Sequence, residues 1–134
     1  MTKHKMLERQ FVKINDRITA LENRLNAPGD PPLEATLTES MGAVRELLTA
    51  YAEHAGKPMP VTDDLLEVFK AFVKGDPSLN AVRDNVRELV YYRNCLDMDR
   101  PDALPARPGR MAVRTARHIY LYLHTRFEQQ AGRD

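Results

Sequence analysis

A chain of 134 residues, 43% hydrophobic and 29% charged, is one domain by size with enough apolar content for a core, which excludes a disordered tail. Its formal net charge of +1 excludes a strong overall field, so charge alone neither favours nor disfavours nucleic acid. One cysteine, Cys95, excludes an internal disulfide, and no run approaches the roughly 18 apolar residues of a membrane span.

The first predicted helix covers residues 3–26. Leu7, Phe11, Ile14, Ile18, Leu21 and Leu25 recur in steps of four and three, a heptad seam held over nearly three repeats. With Leu7 at d, the g row holds Gln10, Arg17 and Arg24, and the e row holds Glu8, Asn15 and Glu22. In a parallel pair Arg17 meets Glu22 of the other helix, whereas an antiparallel self-pair crowds Arg17 against Arg24. The seam therefore has two predicted uses, packing inside the chain's own bundle or parallel self-association into a homodimer. The next residues, Ala27-Pro28-Gly29-Asp30-Pro31-Pro32, read as a turn or short linker. This divides a single helical domain, 1–134, into a dimerisation helix over 1–26 and a bundle over 33–130.

The second helix begins near Leu33, with Thr36 and Glu39 at capping-box spacing should it begin later. Leu37, Met41, Val44, Leu48, Tyr51 and Ala55 form its stripe, and Gly56, Pro58 and Pro60 end it. Thr62 is the expected cap of the third helix, with Asp63 and Asp64 in its first turn and Leu65, Leu66, Phe69, Phe72 and Val73 inward. Asp76-Pro77 is expected to open the fourth, which carries Leu79, Val82, Val86, Leu89, Val90 and Leu96. Arg93 falls on that apolar stripe, one turn from Asp97, a pairing that explains it. A proline-rich loop over 99–109 precedes a fifth helix, expected over 110–130 with Ala112, Ala116, Ile119, Leu123 and Phe127 inward. The fold class is all-α, a four- or five-helix bundle whose N-terminal helix bears a coiled-coil-like seam.

Sites of chemistry are sparse. His4, His54, His118 and His124 fall in no Glu-x-x-His or His-Glu-x-x-His spacing, and no cysteine pair exists. The six glycines form no phosphate-cradling run. No metal and no cofactor are expected. The last helix is more informative. Arg110, Arg114 and Arg117 share one face, Arg107 precedes them, His124 follows at seven residues, and no Asp or Glu occurs from 107 to 127. Like charges one turn apart repel, so an offset is expected from Glu39, Glu46 and Glu53 of the second helix or from an anionic partner. Guanidinium forks suit phosphate or carboxylate, and nearby Tyr120 and Tyr122 suit base stacking.

The run Arg117-His118-Ile119-Tyr120-Leu121-Tyr122-Leu123-His124 resembles the Arg-x4-6-His signature of HEPN domains. That resemblance covers eight residues. It implies a helical, often dimeric ribonuclease or toxin-system component with Arg117 and His124 as the catalytic pair. The reading that covers the whole chain is a small, non-enzymatic helical interaction or regulatory protein. It is expected to be cytoplasmic, without a secretory leader or membrane segment. It would form a homodimer through the N-terminal helix and bind another macromolecule, a protein before a nucleic acid. The nucleic-acid-binding or HEPN-like reading is the alternative, using the face of Arg107, Arg110, Arg114, Arg117 and His124.

Overall fold

A computed structural model describes residues 2–132 of the chain. Among them, five α-helices and two short 3-10 turns account for all regular structure, and no strand occurs. Helix α1 spans Lys3–Asn26, capped by the Thr2 hydroxyl, which accepts the Lys5 N–H at 3.2 Å. Helix α2 spans Leu33–His54. It starts directly after Pro31-Pro32, whose fixed φ suits a helix entry. Thr36 is therefore one turn inside α2 and buried, and the Thr36–Glu39 capping box does not form. Gly56, at φ +81°, turns the chain out of α2 as expected.

Helix α3 spans Leu65–Val73. Its cap is Asp64 rather than Thr62. The Asp64 carboxylate accepts the N–H groups of Leu66 and Glu67 at 3.0 and 3.3 Å, while Thr62 accepts the Asp64 N–H and shapes the turn before it. Residues Pro77–Val82 form a 3-10 turn, and only then does α4 run, over Arg83–Asp97. Asp76 does not cap this turn, because Ser78 and Arg126 already donate to its carboxylate. A second 3-10 turn, Pro101–Ala103, precedes α5, which spans Pro108–Ala131 and begins two residues earlier than expected, with Pro108 in its first turn.

Side-chain pairings fix the layout. Arg24 and Arg17 of α1 pair with Glu39 and Glu46 of α2, so these helices run antiparallel. Arg117 of α5 reaches Glu22, and Phe127 stacks near His4, so α5 is also antiparallel to α1. Helices α2 and α5 are thus parallel neighbours at the centre. α1 lies in the groove along one side of them and α4 packs on the other, with the short α3 across α2 and α4. The end of the bundle where α1 starts is closed by aromatic rings. His4 stacks on Phe127 at 4.7 Å, and Phe11 packs on Phe127, Tyr120 and His124.

The core runs continuously through this arrangement. Leu7, Phe11, Ile14, Ile18 and Leu21 are 0–3% exposed, and Leu25 packs partly buried beside them. Each such side chain contributes about 1.5–3 kcal/mol of burial free energy. Of the two uses expected of the seam, packing inside the chain's own bundle is the one seen, against α2 and α5. Its flanking rows divide accordingly, the g row toward α2 and the e row toward α5.

Candidate binding face on the last helix

Four positions of α5 and Arg107 just before it carry the expected basic face, and the structure separates them. Arg117 turns toward α1. Its Nε and Nη2 donate to Glu22 at 3.2 and 2.8 Å, its Nη1 to Asn15 at 2.6 Å, and Nη2 also to Thr19 at 3.1 Å. These are e-row residues and a neighbour. They bring a carboxylate, an amide oxygen and a hydroxyl to one planar guanidinium. Glu22 is therefore the acid that offsets Arg117, in place of the second-helix acids expected for it. The reason is topological: α1 lies over the α2–α5 groove, so its arginines take Glu39 and Glu46, and its own glutamate takes Arg117.

His124 sits two turns on. Its ring stacks on Tyr120 at 5.4 Å with 9° between planes, meets Phe11 edge-on at 5.1 Å, and its Nε2 lies 3.4 Å from Glu128. The Arg117 guanidinium lies over the same Tyr120 ring, 5.3 Å from its centroid. Burial pushes the Tyr120 phenol above its ordinary value, and the Arg117 cation opposes that shift. Tyr120 is the contact the two residues share. Arg117 and His124 belong to an interhelical clamp with an aromatic filling, in which the guanidinium is engaged by α1 and the His124 Nε2 faces Glu128.

Arg107, Arg110 and Arg114 behave differently. All three are exposed. Arg110 donates only to neutral acceptors at the end of α1, the Leu25 carbonyl at 3.4 Å and the Asn26 amide oxygen at 3.5 Å. Among the described residues neither Arg107 nor Arg114 forms an ion pair with a carboxylate. Arg107 and Arg110 line a cleft of ≈590 Å³ with Leu25, Leu33, Pro31 and Asp30. Asp30 stands in that cleft without pairing with either arginine. Arg107 holds a left-handed backbone, φ +53° and ψ 58°, immediately before α5. A non-glycine residue in that conformation costs about 1 kcal/mol or more. The N-termini of α2 and α5 both lack a side-chain cap and both open at this end, which adds positive potential to the arginines.

Sequence reasoning missed a second polar feature of α5. Thr115 of α5 and Tyr92 of α4 both donate to the carboxylate of Glu88. Tyr92 was not on the expected stripe of α4, yet it is buried there with Val86, Leu89 and Cys95. Their spacing of three is the signal that identifies this face. Among the described residues no group of three or more His, Cys, Asp or Glu side chains is placed to hold a metal ion, and no helix is long and apolar enough to cross a membrane.

Comparison of the chain with family models, curated proteins and solved structures returns no match.

Proposed function

We propose that the protein is a non-enzymatic helical binding module that takes an acidic segment of a protein partner along the edge formed by Arg107, Arg110 and Arg114. The distribution of ion pairs supports this reading. Eight described arginines lie within 3.9 Å of a carboxylate. The other five are Arg9 and Arg87, each on another helix, and the three consecutive cations of this edge. A chain that pairs most of its arginines leaves Arg107 and Arg110 beside a cleft and two uncapped helix ends, with Arg114 one turn further along α5. Guanidinium clusters of this kind recognise carboxylate-rich segments. Exposed aromatic rings, which single-stranded nucleic acid uses for stacking, are absent from the residues lining this cleft. The engagement of Arg117 with α1 supports a binding role over catalysis by the Arg117–His124 pair.

The test is fluorescence anisotropy with a labelled glutamate-rich peptide and a labelled single-stranded RNA of equal length. The peptide binds the wild type and is released by the double substitution Arg107→Gly and Arg114→Gln, which leaves the melting curve in place. Preference for the RNA supports the nucleic-acid reading instead. Binding of neither, or RNA cleavage abolished by Arg117→Met, overturns the proposal.

A further inference from the structure

The side of α5 turned away from α1 carries a carboxylate without a counter-ion. Glu88 projects from α4 across to α5, where it accepts the hydroxyl of Tyr92, one turn along α4, and the hydroxyl of Thr115 at 3.2 Å. Both donors are buried and neutral. Burial pushes the Tyr92 phenol well above its ordinary value, and the hydrogen bond and charge of Glu88 add to that; the phenol stays a donor and fixes the carboxylate. Glu22, Glu34, Glu39, Glu46 and Asp76 also join two elements, and each of them reaches an arginine. Glu88 is the exception. It lies in a cleft of ≈420 Å³ between α4 and α5, with Asn85, Met111, His118 and Leu121 as walls and Arg114 on the rim; Arg117 lines it too, but its guanidinium is taken by Glu22 of α1.

We infer that this cleft is a binding site for a basic side chain inserted by a protein partner, its guanidinium or ammonium group against Glu88. A half-buried carboxylate held by two neutral donors keeps free lone pairs and lacks a positive charge. A guanidinium answers both with parallel N–H donors, and an ammonium with the same unit charge in a more compact group. Met111 and Leu121, the latter 52% exposed, offer apolar surface to the methylene stem. Arg114 at the rim repels a second cation, so the groups beside the inserted one are neutral or acidic. The site stands on the geometry of Glu88 and not on the arginine edge.

The experiment is an NMR titration of the amide signals of Glu88, Thr115 and His118 with N-acetyl-arginine amide, N-acetyl-lysine amide and the uncharged N-acetyl-norleucine amide. The cationic probes produce saturable shifts with a dissociation constant on the order of 1–10 mM, as a single small group allows. Glu88→Gln, which keeps an acceptor for one hydroxyl while the Thr115 hydroxyl can turn to accept from the new amide, weakens them about tenfold, the scale of one charge-assisted contact. Arg114→Ala, outside the packed interface, strengthens them, and Arg107→Gly leaves them unchanged. The arginine and lysine arms separate guanidinium from ammonium. Equal shifts with norleucine, shifts that survive Glu88→Gln, or no saturation by any cation overturn the inference. So does a double-mutant cycle in which Glu88 and Arg114 stabilise one another, since Arg114 then supplies the missing charge.

Discussion

Arg117 and Arg114 stand one turn apart on α5 with the same side chain and opposite circumstances. The Arg117 side chain is 18% exposed and tied to three residues of α1. Removing it leaves Glu22, itself 39% exposed, and Asn15 partly desolvated without their donor. Arg117→Met is expected to cost about 1.5–3 kcal/mol, the range for losing charge-assisted bonds in a partly buried setting. Arg114→Met, on a surface without partners, should stay within about 0.5 kcal/mol. Urea denaturation of the two variants checks this; equal losses would deny the clamp. Tyr92 adds a pH dependence. Its folded-state pKa lies above the ordinary 10.0, chiefly through burial, and burial raises Tyr51 and Tyr120 in the same direction. The folded chain therefore keeps protons that the unfolded chain loses. Stability from this source is full below pH 10 and declines as the pH rises past it. The decline should be shallower in Tyr92→Phe, as denaturation curves from about pH 9 to about pH 11 would show; an identical slope would contradict it. At this scale the sequence was legible where partners are local. The Arg93–Asp97 pair forms at 2.8 Å as its spacing predicts, whereas Glu34, which also accepts from Arg93, lies 59 positions away and carries no local signal.

Among the elements, α1 decides the architecture. Its stripe was readable because a helix that buries one face must repeat apolar residues every three or four positions. The partners of that stripe were not, because the same pattern serves a second copy and a bundle alike. The flanking rows carry the answer only in three dimensions. Arg17 and Arg24 find Glu46 and Glu39 of α2, and Glu22 finds Arg117 of α5, so the complementarity that suits a parallel pair of α1 helices is met by two different helices instead. Ile18 is 1% exposed at the middle of this contact. Ile18→Asp should unfold the chain or cost more than about 4 kcal/mol, because a carboxylate there has no partner. A folded variant that merely changes its state of association would place the seam on an outer surface. Boundaries were less legible than helices. The start of α2, the cap of α3 and the 3-10 entry to α4 each depend on which nearby carboxylate or proline wins a local competition.

The whole molecule is a four-helix arrangement with α3 as a bridge. Helices α2 and α5 pack directly on each other, yet Glu39 and Glu46 of α2 and Arg117 of α5 find their partners on α1. Association through the seam requires α1 to leave its own bundle. Light scattering on the order of tens of micromolar should therefore report a monomer; a stable dimer would show that α1 exchanges between copies, which its linker over 27–32 has the position to permit. What remains outward at the end where α2 and α5 begin is the edge of Arg107, Arg110 and Arg114. The direct measurement is the affinity of the glutamate-rich peptide across a salt titration, for the wild type and for Arg107→Gly with Arg114→Gln. Exposed charges more than about 10 Å apart are screened at 0.1 M salt. Wild-type binding is expected to be strong at low salt and to fall steeply as salt rises, and the double variant to bind weakly with a flat dependence. Equal affinity and equal salt slope in the two proteins would contradict this.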